Sequence, residues 1–323
     1  AARIRAVSSG QNLSKQKRGL MAGFEDFIVA WPVWLKILVG QVLLIAVPAS
    51  AAYLFLYRWK GHPFRRRKIQ AGFEPASVIR REVRYALLAA LIFALNGFCI
   101  YILMGQGWTL VYTEVAEYGW VYGVFSLVAA IILHDAYFFW THRMMHHPRL
   151  FDLFHRLHHE SKSPSPWAAY AFAPLEAVVQ TMFLTLLIFV LPLHPVVIYL
   201  FMFHMIARNV IGHSGFELFP RGTPAHRVFG ILTTTTHHDL HHSSKGVNYG
   251  LYFVWWDRLA GTEHPEYREI FNQVVAREKS PTGPASNPKT SWEPVLTRKK
   301  HAEKSAKFSW EKAQKTPARP KPS

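Results

Sequence analysis

One cysteine, Cys99, stands among 323 residues, and it lies inside an apolar run. That scarcity excludes a disulfide framework, a thiolate zinc site and a cysteine-bound iron–sulfur cluster. Any metal must therefore be held by nitrogen or oxygen. Also missing are a G-x-G-x-x-G turn after a strand, a C-x-x-C-H haem attachment and an H-E-x-x-H zinc-hydrolase helix. The chain thus carries no recognisable electron carrier of its own and no general base beside paired zinc ligands.

Acidic residues are scarce at both ends. Residues 1–20 hold five basic side chains and no acid, and residues 279–323 hold eleven against three, so the ends supply +13 of the net +17. The stretch from Arg58 to Arg84 adds nine Lys/Arg against two Glu, which leaves the remainder slightly acidic. Positive charge so confined argues against a nucleic-acid partner and suits the flanks of a membrane protein. Residues 1–20 lack the apolar core of a signal peptide, and Met21 opens MAGFEDFIVAW. They read as a short basic arm or a non-native extension. The tail, residues 276–323, is rich in Lys, Pro and Ser and is expected to be disordered.

What the chain has in quantity is apolar length. Half its residues are hydrophobic and 15% aromatic. Three runs approach the roughly 20 residues a bilayer core requires: Trp34 to Tyr57, Tyr85 to Met104 and Tyr118 to Trp140. The basic loop after the first run sets the expected orientation, with that loop cytosolic and the Glu114/Glu117 connection outside. A fourth apolar stretch, Leu175 to Ala207, is interrupted by LPLHP at 191–195, where two prolines break a helix. It reads as a helical hairpin, re-entrant or spanning. The expected fold is all-α and integral to the membrane, with a histidine-rich helical cap on the cytosolic side. The expected divisions are residues 21–84 for the first span and basic loop, and 85–275 for the domain that carries the chemistry.

Histidine is abundant at the edges of these runs. HRMMHHPRLFDLFHRLHHE, residues 142–160, packs six into nineteen positions. By spacing they are H142-x3-H146 and H155-x2-H158-H159, followed far along the chain by His213 and H238-x2-H241-H242. Positions i, i+3 and i+4 share a helix face, so each group aims its imidazoles one way. Imidazole suits iron, zinc, copper or nickel. Nine or ten candidates exceed the four ligands of one structural zinc and fit two metals.

These boxes, with HDAYFFWTHRMMHH, the APLE turn at 173–176, NVIGHSGFELFP at 209–220 and HHDLHHSSKGVNYGLYFVWWDRLAGT at 237–262, resemble the fatty acid hydroxylase/sterol desaturase superfamily of integral-membrane di-iron oxygenases. The resemblance covers roughly residues 85 to 265. It implies that His142, His146, His155, His158, His159, His213, His238, His241 and His242 hold two iron ions. Asn209 stands where relatives carry a further histidine, and its role as a ligand is left open. Ala173 is a second departure, at a position where many relatives have histidine. The implied activity is hydroxylation or desaturation of a lipid, with O2 as co-substrate and electrons from an external ferredoxin or cytochrome b5-like carrier. Asp135, Asp239, His134 and His204 are candidates to support the ligands from behind, while His147 and His237 read as bystanders.

The rival reading is a histidine-rich membrane metal (zinc) transporter or metal-binding protein. Such a chain would place its ligands mid-span along a polar path, whereas these lie at span ends. A bacterial cytoplasmic membrane is the expected location, with the site facing the cytosol. The substrate lipid and the oligomeric state are left open by the sequence.

Overall fold

A computed structural model describes residues 32–277. The expectations for residues 1–20 and for the tail beyond 277 lie outside these residues. Among the described residues there is no β-strand, only isolated bridges such as Lys68 to Phe216. The fold is all-α, and four helices are long and apolar enough to cross a membrane.

The first, α1, runs Pro32–Arg58 and ends in a π-helical turn, Leu54–Arg58. Next come α2, Ala76–Gly105, and α3, Gly119–Met145. Two short helices, α4 at Pro148–Phe154 and α5 at Arg156–His159, lead to a 3-10 turn at Pro166–Tyr170. The hairpin is α6, Pro174–Val190, and α7, Pro195–Gly212. Both arms start on proline at the first helical position, where its missing N–H costs nothing. The remainder is α8, Thr235–Ser243, α9, Trp255–Ala260, and α10, Tyr267–Ala276.

The long helices are apolar on every side, as helices between lipid and a protein core must be. On α3, Val121 is 87% exposed and Val124, Phe125 and Val128 are exposed beside it, while Ser126 and Ala130 face inward. The inward face of α2 is a row of alanines, Ala86, Ala89, Ala90 and Ala94, all fully buried. Small side chains let backbones approach closely where lipid gives no hydrophobic drive to associate. Ile45 of α1, Ala177 of α6 and Ile206 and Val210 of α7 close against that row.

The hairpin reaches the far end of the bundle. Its tip bonds to the α2–α3 connection: Leu110 N donates to Ile188 O at 2.8 Å and Tyr112 N to Leu193 O at 3.2 Å. His194, which caps α7, also pairs with Thr113 O. Both arms therefore run the length of the bundle. At the opposite end the loop between α1 and α2 wraps the histidine-bearing segments. Arg67 donates to Phe219 O, Lys68 to Ser163 Oγ and Arg81 to Glu160. Much of the basic charge in this loop thus serves to hold the cap.

Candidate metal centre

Nine imidazoles converge at this end in two groups. His142, His146, His155, His159 and His241 form one; His158, His213, His238 and His242 form the other. Within each group the nitrogen atoms lie within 4.8 Å of one another. The boxes do not map one to one onto the groups. His155 is a junction residue between α4 and α5, not a position on one continuous helix, and the neighbours His158 and His159 point into different groups. On α8, His238 and His242 share a face and go to the second group, while His241 goes to the first. The groups touch through ring contacts, His155 to His158 at 5.0 Å and His159 to His242 at 4.8 Å.

The protonation of four rings follows from what they touch. The Nδ1–H of His142 donates to Tyr249 O at 2.9 Å, of His213 to Asn209 O at 2.9 Å, of His241 to Val247 O at 2.7 Å and of His242 to Ser161 O at 3.0 Å. His155 Nδ1 faces Glu176 Oε1 at 2.7 Å. A carbonyl can only accept, so the proton sits on Nδ1 and Nε2 presents a lone pair. Those Nε2 atoms point at one another. His142 meets His155 at 2.9 Å, His159 meets His241 at 3.0 Å, His238 meets His213 at 2.9 Å and His242 meets His238 at 3.2 Å.

Nε2 lone pairs crowded this closely repel unless a cation or a donated proton lies between them. Metal–imidazole bonds of about 2.1 Å at right angles place neighbouring nitrogens about 3.0 Å apart, against about 3.4 Å at tetrahedral angles. The observed spacings fit the right-angled, higher-coordinate case, so the residues present fit a pair of transition-metal ions. Burial reinforces this. It pushes His213 and His241 down to about 4 and holds His158, His159, His238 and His242 well below the ordinary imidazole value, with neighbouring imidazoles adding to the effect for several of them. At neutral pH these rings are uncharged and free to ligate.

The supporting residues differ from those expected. Asp135 accepts from Tyr252 N and Trp255 Nε1, and Asp239 accepts from Gln70 Nε2. His134 pairs with Tyr252 OH, and His204 lies against the Tyr252 ring. All four fix loops and helices around the site, and none of these contacts reaches a metal-facing nitrogen. Contact from behind comes instead from Glu176 and from backbone carbonyls, which carry no sequence signal. Glu176 had one, an acid in the APLE turn one turn into an apolar helix. Glu217 is a second such residue: buried, it accepts from Thr236 N at 2.8 Å in the first turn of α8, where the helix dipole favours an anion.

His147 is exposed and caps α4 through Arg149 N. His237 is buried on the far side of α8 beside Asp257. Asn209 donates from Nδ2 to Ala169 O at 2.7 Å and lines the space beside His213 and His238.

The loop after α8 supplies two of the carbonyls, and its shape is tightly set. Asn248 takes a left-handed conformation with φ 57, which Asn tolerates better than most residues. Its Oδ1 accepts from His264 N, and its Nδ2 donates to His237 O. A Cβ on Gly250 would lie 2.5 Å from Phe253 O, so only glycine fits. Asp257 gathers Tyr249 N, Gly250 N and Thr262 Oγ1.

Beside the cages, where Phe138 lies against His142 and Phe172 against His158, an apolar cavity of about 800 Å3, counting its open mouth, lies between α1, α2, α3, α6 and α7. Phe138, Phe172, Phe183, Phe201 and Leu251 form much of its wall.

Membrane helices, imidazole cages at one end and a lipid-level cavity beneath them define an integral-membrane metalloenzyme that acts on an apolar substrate. The comparisons agree. The fatty acid hydroxylase family description matches residues 127–262. A Delta(7)-sterol 5(6)-desaturase of Gibberella zeae is 28% identical over 256 residues, covering 77% of this chain and 75% of its own length. Lathosterol oxidase of Rattus norvegicus is 28% identical, covering 75% and 78%, and that of Homo sapiens 30%, covering 57% and 60%. No solved structure matches. The chain is thus similar to the fatty acid hydroxylases over residues 127–262 and to sterol desaturases and lathosterol oxidases over about three quarters of its length. It is an O2-dependent oxidoreductase, a hydroxylase or desaturase of membrane lipid.

Proposed function

We propose that the two imidazole groups hold two iron ions and that the enzyme uses O2 to oxidise an unactivated C–H bond of a sterol-like lipid. The observation that carries this reading is the convergence of nine histidines whose Nε2 atoms face one another beside an apolar cavity. The bound irons would supply the activation of O2. The chain's own part is to hold the ligands still and keep water out. Tyr249, Val247, Ser161 and Asn209 carbonyls fix the tautomers, and the phenylalanines of the cavity wall exclude solvent and guide the lipid. Asn209 sits beside the four-histidine group, and we assign it a place at the open side of that group rather than a fixed bond.

Electrons come from a separate ferredoxin or cytochrome b5-like carrier with its reductase, since the sequence carries no motif for one. The carrier reaches the site from the cytosolic side, where His146 and His159 are only half-buried. The sterol class is favoured by the relatives, a Delta(7)-sterol 5(6)-desaturase and a lathosterol oxidase.

Metal analysis after anaerobic purification tests the reading. About two irons per chain are expected, together with O2-dependent conversion of a sterol such as lathosterol when a carrier and its reductase are added. Zinc alone, with no turnover restored by iron, would favour the metal-transport reading instead. A comparison of total lipids with and without the gene identifies the product.

A further inference from the structure

Two amide side chains in the cavity have no hydrogen-bond partner among the described residues. Gln41 of α1 and Gln180 of α6 both line it. A third amide on the same wall is treated differently. Asn96 donates from Nδ2 to Thr181 O at 3.3 Å, and its Oδ1 accepts from Thr185 Oγ1 at 2.9 Å. The fold satisfies that polar group internally and leaves the two glutamines facing the cavity. An unpartnered amide in an apolar, membrane-level space is costly, so its retention points to a ligand.

The two glutamines lie about one turn apart in depth. Gln180 is one turn beyond Glu176, the residue behind His155, so it sits about 6 Å further along α6. The Asn96–Thr181 bond brings the middle of α2 to the same level, and a Cβ on Gly97 would touch Ile37, one turn before Gln41. The lining holds no Asp, Glu, Lys or Arg. A phosphate, carboxylate or ammonium group would enter without a counter-ion. An amide offers a donor and an acceptor together, which is what a hydroxyl needs.

We propose that Gln41 and Gln180 bind an uncharged hydroxyl of the lipid substrate within this cavity, so that the cavity selects a neutral alcohol. This rests on the reading of the chain as a lipid oxidase and deepens it. The hydroxyl, anchored there, sets which carbon of the lipid faces the metals. A methyl ether of the same lipid keeps the shape but loses the donor and adds bulk at the anchor.

The test uses the full chain in lipid nanodiscs with two probe pairs, a 3-hydroxysterol and a long-chain fatty alcohol, each against its O-methyl ether. Equilibrium binding is measured for the wild type and for Gln41→Leu, Gln180→Leu and the double variant. The wild type is expected to prefer at least one alcohol by about tenfold, and the double variant to bring that preference within about twofold without weakening the ether. Iron content reports folding and is expected to stay at the wild-type level. Equal binding of alcohol and ether by the wild type, or of neither, overturns the proposal, as does a preference that survives in the double variant. Iron content and O2-dependent lipid turnover are read separately. If both persist without the preference, only the hydroxyl anchor fails; if both are absent while the preference holds, it is the oxygenase reading that fails.

Discussion

At the scale of single residues, position relative to the cages decides importance, and sequence adjacency does not. His146 and His147 are neighbours, yet one faces the first cage and the other caps α4 in solvent. His147→Ala is expected to keep wild-type iron content and to cost about 1 kcal/mol through the lost cap. His238→Ala is expected to lose metal from the second cage, read by elemental analysis. Glu176 makes a sharper case because it touches no cage nitrogen that faces inward. Replacing it by Leu removes the carboxylate from His155 Nδ1, and metal affinity is expected to fall roughly 10- to 100-fold. Gln at that position keeps an acceptor oxygen and is expected to recover most of the loss. Equal iron retention in the Leu and wild-type proteins would remove Glu176 from the site.

Among the elements, the segment from Asn248 to Thr262 does more than connect α8 to α9. Asp257 holds its backbone in place through Tyr249 N, Gly250 N and Thr262 Oγ1. The Tyr249 carbonyl in turn holds His142, and the neighbouring Val247 carbonyl holds His241. Asp257→Ala leaves buried donors without acceptors, at about 1–3 kcal/mol for each. A lower melting temperature and reduced iron are expected together, because the same loop serves fold and site. Gly250→Ala forces its Cβ against Phe253 O and is expected to resemble the aspartate variant in both measurements. A change in melting temperature with iron unaltered would separate the two roles.

For the whole molecule, the cages are staples. Their ligands come from α3, the α4–α5 junction, α5, the end of α7 and α8, so bound metal ties together segments up to a hundred residues apart. A ligand that binds only the folded state stabilises it in proportion to its occupancy. Chelation in detergent is therefore expected to lower the melting temperature by several degrees, and restored iron to reverse the shift.

Much of this was legible from residue order, because hydropathy and spacing are local properties. The three long apolar runs gave three helices, with α2 starting nine residues before the expected Tyr85 and α3 extending to Met145 so that His142 lies in its last turn. LPLHP broke the fourth run where two prolines forbid a continuous helix, and eight of the nine histidines stood out by their spacing, with His213 added by the family resemblance. Only the tertiary structure divided them into five and four, because that division depends on the break at His155 and on how α8 is rotated against α5 and α7. Spacing places residues on a helix face but says nothing of the neighbour that face meets. The same reason hid Glu176 and the carbonyls of Ser161, Val247 and Tyr249 from the sequence. It also hid the opening of Gln41 and Gln180, nearly 140 positions apart in the chain, onto one cavity.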